Sequence, residues 1–358
     1  MSFNRLVADD FVVSTDSITA GLWGDSSTPN LSTFVTSSAQ AAGSSGNFYL
    51  NVFSAGTPTA PTELEFAVTY GNSVGGGSLL YDPAVPGKSP SSTIYGSYHT
   101  LVLGDETAAF SFGGVTSSDF YAISIDRNRY KESLFPGSLT LRLSGSISQS
   151  RGSALTLTDN SQIVTTTQFN DAGRVFQIVS GSAGTVFTGV NNNGYSLASG
   201  SYGFFLPDIA TILLNPRALT SGVTGISASF AGLKPVTTTN ADGNNPGRLI
   251  KAISSSAITA ANGTGNLPFT LNSQENITSD FIFVRPRSSE YNYSSNPSFI
   301  SGSTGEVLFN SFINNPTTFM TTVGLYNDTN ELLAVAKLSK PLPKDFTKEA
   351  LVRVKLDF

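Results

Sequence analysis

The strongest constraint on this chain is a set of short alternating runs separated by clusters of Gly, Ser and Pro. Asn47 to Phe53 reads NFYLNVF, and Glu63 to Tyr70 reads ELEFAVTY, in which Leu64, Phe66 and Val68 alternate with polar or small neighbours. Strand side chains point alternately to opposite faces, so each run makes one apolar and one wet face. The signature recurs in Phe120 to Ile125, Leu139 to Leu143, Val175 to Val179, Phe281 to Val284 and Ala334 to Leu338. A mainly β fold is expected: antiparallel β-sandwich-like domains with long loops and at most a few short helices.

Two segments depart from alternation. In YGFFLPDIATILLNP (Tyr202 to Pro216), the nearly continuous apolar run Ile209 to Leu214 predicts a strand buried on both faces at the centre of a sheet. NNPGRLIKAISS places Asn245 at a capping position, Pro246 at the first helical position and Leu249, Ile250 and Ile253 on one face, which predicts a short helix near 246–255. Gly75 to Gly77 reads as a flexible hairpin tip. Composition divides the chain into an N-terminal arm (1–44), a β-rich domain (45–218), a loop-rich insertion (219–272) and a C-terminal β-region (273–358) packed with the first domain.

Charged residues are only 13% of the 358, with Ser, Thr, Asn and Gly in their place, a surface suited to large protein contacts. A net charge of -5 supplies no positive field for a phosphate backbone, so nucleic acid is not an expected partner. The absence of cysteine removes disulfides and thiolate chemistry. The N-terminal sequence contains no apolar run of signal-peptide length, and no window has the roughly 18 apolar residues of a spanning helix. Membrane insertion is not expected.

Chemistry-bearing constellations are sparse. The one histidine, His99, has no partner that the sequence selects, and a packing role is the simpler reading. Asp9 with Asp10, and Asp105 with Glu106, are adjacent pairs that a strand would send to opposite faces, and NADGNNPG holds a single carboxylate. We expect no catalytic residue, no metal site and no cofactor. Two carboxylates brought together by the fold would still permit glycoside cleavage.

The candidate interface residues are Arg127, Arg129 and Tyr130 in DRNRYKE, and Tyr291, Tyr293 and Phe299 in RPRSSEYNYSSNPSF. Arg and Tyr are frequent interface anchors, and mixed Tyr, Asn and Ser is a paratope-like composition. The simpler readings are a turn whose cations meet nearby acids and a long loop capped by its own tyrosines. Tyr291 and Tyr293, two residues apart, would project together from an extended segment.

Several segments in order resemble virion structural proteins of large contractile-tailed cyanophages. They are SGNFYLNVF, ELEFAVTYGNSVGGGS, SSTIYGSYHTLVLGD, FYAISIDRNRYKESLFPGSLTLRLSG, YGFFLPDIATILLNP, FVRPRSSEYNYSSNPSF and the run from TTVGLYNDTNELLAVAKL to the C-terminal LVRVKLDF. The resemblance covers about Ser45 to Phe358, is weakest in the first forty residues and in 219–272, and carries no catalytic residue. It implies a structural protein of the virion tail or baseplate, assembled in the host cytoplasm, whose partners are other virion proteins and copies of itself. Arg129 to Glu132, Pro207 with Asp208, Asn292 to Pro297 and Gly324 to Asp328 would then be recurrent positions that maintain the fold or hold neighbours. A receptor- or carbohydrate-binding fibre protein in contact with the host surface is the alternative, followed by a neck or capsid decoration protein.

The terminal KEALVRVKLDF alternates Val352, Val354, Leu356 and Phe358 with Arg353, Lys355 and Asp357. An outer-membrane barrel strand would need export, and the preceding KLSKPLPKDFTKEA is no tight hairpin. We expect a final strand with one apolar face docked on the protein.

Overall fold

The computed structural model describes residues 4–22, 35–36, 49–53, 63–78, 81–105, 109–113, 115–144, 154–187, 202–220, 233–237, 244–256, 268–293 and 296–357. Two compact units emerge: Ile18–Glu275, and Met1–Ser17 together with Asn276–Phe358. In chain order the elements begin with β1 (Phe11–Gly21), β2 (Val35–Thr36), β3 (Tyr49–Phe53), β4 (Leu64–Asn72), α1 (Pro90–Leu103), β5 (Phe110–Phe112), β6 (Val115–Ser117) and β7 (Asp119–Ile125). There follow β8 (Ser133–Leu134), β9 (Thr140–Ser144), β10 (Ala154–Asp159), β11 (Gln168–Asn170), β12 (Gly173–Ser182), β13 (Thr185–Val186), β14 (Gly203–Leu206) and β15 (Thr211–Leu214). The rest are α2 (Pro216–Thr220), α3 (Asn244–Ser256), β16 (Phe269–Thr270), β17 (Asn272–Val284), α4 (Asn310–Asn314), β18 (Thr318–Tyr326), β19 (Leu332–Lys344) and β20 (Val352–Asp357). The protein is mainly β and antiparallel, as its alternating runs predict.

The larger unit is built on one sheet in the order β16-β9-β10-β12-β14-β15-β7-β4-β3-β2. Register aligns Val68, Ile123, Ile212, Phe205 and Phe176 as one row across five strands. All five side chains are buried in a single apolar cluster on one face. Burying a large aliphatic or aromatic side chain is worth about 1.5–3 kcal/mol, so the row fixes register as well as stability. Phe120, Ala122, Phe204, Leu206 and Leu213, displaced by one residue, enter a second cluster on the opposite face. Thr211 to Leu214 is buried throughout between β14 and β7, which is the doubly covered central strand expected from ILL.

Helices supply the cover. Leu249, Ala252 and Ile253 of α3 join the first cluster, and Ile94, Tyr95, Tyr98 and Val102 of α1 join or pack on the second. The sequence reading places a helix at α3 but none at α1. Its run of β-branched and aromatic residues with Gly96 has poor helix propensity, and burial overrides it. Tyr95 stacks on Phe120 at 5.6 Å, Tyr98 meets the same ring edge-on at 5.5 Å, and the Tyr98 hydroxyl shares a 2.8 Å hydrogen bond with Ser124. Pro90 occupies the first turn, and Gly104 closes the helix with φ 63°.

Four expectations change. Gly75 to Gly77 is a buried turn, not a flexible tip: the Asn72 carboxamide oxygen accepts from Val74 N and Gly76 N at 3.1 Å, and Ser89 donates to Gly75 O at 2.6 Å. A Cβ on Gly76 would overlap the Thr237 carbonyl oxygen. Residues 219–272 are no separate insertion where described, because Leu219, Leu233, Leu249, Phe269 and Leu271 lie in the main cluster. Asn245 clamps the Val236 backbone, accepting from its N–H at 2.9 Å and donating to its carbonyl at 3.0 Å. The boundary between units falls inside β17, where loop composition gives no signal. Ser273 and Gln274 pair with β8, whereas Ser279 to Val284 pair with β20. Residues 1–17 belong with the C-terminal unit rather than forming part of a separate arm.

We expect Gly76→Ala to lower the unfolding free energy by roughly 2 kcal/mol or more, since backbone must shift to admit the methyl group. Gly96→Ala, whose Cβ would meet nothing within 4 Å, should instead stabilise α1 by up to about 1 kcal/mol. Urea denaturation of the two variants checks both signs.

Candidate functional site

The charged turn after β7 is folded against its own acids. Asp126 accepts from Asn128 N at 3.0 Å and starts a 3-10 turn, Arg127–Arg129. Arg129 then reaches Glu63 and Glu65, and its Nε donates to the Leu64 carbonyl at 3.1 Å. Glu65 Oε2 lies 3.0 Å from that same Nε without an aligned donor, a charge contact rather than a hydrogen bond. Burial pushes the Glu65 carboxyl up to about 7, against the pull of Arg129 and with help from Glu63 and Asp126. Arg127 lies 4.6 Å over the Tyr130 ring and donates to its carbonyl at 2.7 Å. Tyr130 packs on the main cluster. Of this trio, Arg127 keeps an exposed face while Arg129 is committed to internal acids.

Pro207 and Asp208 have a comparable internal use. Pro207 O accepts from Leu134 N at 3.0 Å, and Asp208 binds the Arg174 guanidinium at 2.6 Å and its backbone N–H at 2.7 Å. His99 is buried, its ring stacked on Tyr95 at 5.7 Å and edge-on to Phe110 at 5.6 Å. Asp119 is buried with Tyr70 and Ser117 hydroxyls donating at 2.8 and 2.9 Å, and burial raises its pKa. Among the described residues no group of three or more His, Asp or Glu is placed to hold a metal. No described helix is long and apolar enough to cross a membrane.

The C-terminal unit is organised differently. Its buried large apolar side chains, among the described residues, are Ile282 and Val354. By contrast, Val13, Phe319, Leu333, Val335, Phe346 and Leu308 are each more than half exposed. β18 and β19 form a two-stranded sheet, and among their residues Lys344 alone is buried. Val323 faces Ala336 and Leu325 faces Ala334 on one half-buried side, while Gly324 faces Val335 and Tyr326 faces Leu332 on the exposed side. A two-stranded hairpin with one face half-buried and the other exposed is marginal by itself.

Polar links hold this unit's loops. Lys344 Nζ donates to Ser288 O at 2.8 Å, Asn292 Oδ1 at 3.0 Å and Asp345 O at 3.2 Å, tying the end of β19 to the 285–293 loop. At the hairpin tip Asn327 Oδ1 accepts from Thr329 N at 3.0 Å and Glu331 N at 2.8 Å. Tyr291 has φ 56°, so the segment is not extended there and the period-two projection fails. Its carbonyl accepts from Thr318 at 2.7 Å. Tyr293 meets Phe299 edge-on at 6.1 Å, and Phe299 anchors Phe309 at 6.2 Å and Phe312 at 4.6 Å. The structure thus brings Tyr293 and Phe299 together and sends Tyr291 elsewhere.

β20 follows its sequence pattern: Val354 is buried, Val352 and Leu356 half-buried, and Arg353, Lys355 and Asp357 exposed, while Phe358 lies outside the described residues. Arg353 and Lys355 cover the Phe281 ring at 5.4 and 5.9 Å. The surface residues that sequence reasoning missed sit in apolar doublets, Val12 with Val13 and Leu332 with Leu333, where alternation lapses and both strand faces are apolar. Compared with known families, curated proteins and solved structures, the chain matches no family model, no curated protein and no solved structure.

Glu65 gives a pH prediction. Its folded pKa lies above its unfolded value of 4.5, so its contribution is most favourable below that value and is lost as pH rises to about 7. Glu65→Gln should remove that part of the decline between these limits, on the order of 2 kcal/mol, in urea unfolding followed across pH.

Proposed function

We propose that this protein is a structural component of a contractile-tailed phage virion, in the tail or baseplate region, working through protein–protein assembly interfaces. The observation that carries the reading is the C-terminal unit, in which, among the described residues, Ile282 and Val354 are the buried large apolar side chains while Val13, Phe319, Leu333, Val335, Phe346 and Leu308 are each more than half exposed. Monomeric proteins rarely leave such surface uncovered, and interaction sites account for most cases. Within single strands the exposed apolar side chains recur close together, Val12 with Val13 on β1 and Leu332, Leu333 and Val335 on β19, as the centre of an interface of ~800 Å² per partner would require.

Low charge agrees with this role, because interface centres are depleted of charged residues. The resemblance of the ordered segments to cyanophage virion proteins supplies the biological setting. As proposed, the larger unit is the rigid body and the smaller one the contact module, and no catalytic residue is required. Virions purified through a density gradient should contain the protein at fixed stoichiometry by quantitative mass spectrometry. Its absence from particles of a phage that expresses it would reject the proposal.

A further inference from the structure

The C-terminal unit has open strand edges as well as apolar faces. β1 and β20 stand at the two ends of the order β1-β17-β20, and β18 with β19 forms a sheet of two, so among the described residues β1, β20, β18 and β19 each have one unpaired edge. β1 has 11 residues, of which Phe11–Ser17 lie in this unit, and β19 has 13. Free edges of this length are templates for pairing, and sequences that avoid it place charges or prolines there. In β19 the prolines are confined to Pro341 and Pro343, and the charges before them are Lys337 and Lys340, which oppose pairing with a like-charged edge but not with an acidic one.

Charge tells which edge suits which. Asp9 and Asp10 precede β1 and Asp16 lies within it, with no basic residue in the strand. β19 contains Lys337, Lys340 and Lys344 and no acid, and Lys337 and Lys340 are exposed. Both edges carry exposed apolar side chains, Val12 and Val13 on β1 and Leu333 and Val335 on β19. One chain therefore owns an acidic apolar edge and a basic apolar edge, which are complementary between two copies.

Building on the assembly role proposed above, we infer that the partner of this surface is a second copy of the chain, the β1 edge of one copy pairing with the β19 edge of the other. Cross-strand hydrogen bonds give the pairing its affinity and the opposed charges fix its orientation. The contact joins two different patches. It closes as a dimer where both pairs form reciprocally, and as a ring or filament where they form in sequence.

Sedimentation velocity of the full chain over a concentration series tests this. Wild-type protein should associate at or below ~10 μM, in the affinity range of modest interfaces. Asp16→Lys and Lys337→Asp, both at exposed positions, should each weaken association about tenfold or more. Their combination should recover it, because the charges are exchanged rather than lost, and Lys340→Asp gives a second cationic site if Lys337→Asp misfolds. Circular dichroism melts report folding of each variant. A monomer at all concentrations, or association unmoved by every reversal, overturns the inference. A monomeric protein that is nonetheless present in virions overturns self-pairing while leaving the virion role intact.

Discussion

β7 sends Tyr121, Ile123 and Ile125 into one apolar cluster and Phe120 and Ala122 into another, and the larger unit depends on this double commitment. A strand buried on both faces cannot slip by one residue without exchanging Phe120 for Tyr121, whose hydroxyl is tied to the Leu233 carbonyl at 2.9 Å. Phe120 also lies over Gly71 of the neighbouring strand, where a Cβ would stand 2.6 Å from its ring. Small against large at one register position, and apolar against apolar at the next, makes the sheet specific. α1 and α3 then fold where these two faces need cover.

The C-terminal unit follows from the reverse condition. Its strands alternate too, yet among the described residues the alternation fully buries only Ile282 and Val354 of its large apolar side chains and leaves the others half-buried or exposed. Lys344 and Asn327 fix local geometry through hydrogen bonds, which hold a shape without supplying the burial that stabilises a domain. A well-defined surface with little core is the arrangement expected of a module completed by another chain. On the proposed assembly role, the larger unit, with its packed sheet, provides the fold that does not depend on that completion.

Legibility tracked how local the cause was. ELEFAVTY and ILL carried their own strand signal, and NNPGRLIKA its own helix. The outward doublets Val12–Val13 and Leu332–Leu333 were visible only as faults in alternation. α1 was illegible because SSTIYGSYHTLVL disfavours a helix until Phe120 and Phe110 offer a surface to cover. Gly75 to Gly77 has flexible composition, and only the Thr237 backbone and the serines of α1 make it a packed turn. Arg129 was readable as a cation near acids, but that the acids are Glu63 and Glu65, more than sixty residues earlier, needed the sheet. For the candidate surface, the sequence names Tyr291, Tyr293 and Phe299 but pairs Tyr291 with Tyr293; the left-handed backbone of Tyr291 and the contact of Tyr293 with Phe299 were not legible.

The central claim is that the C-terminal unit gains its cover from another chain. Amide hydrogen exchange, followed by mass spectrometry at low and high protein concentration, measures this directly. The account predicts that protection across β18 and β19 rises with concentration while protection in β4 and β7 stays constant. Equal protection of β18 and β19 at both concentrations, at the level of β7, would contradict it.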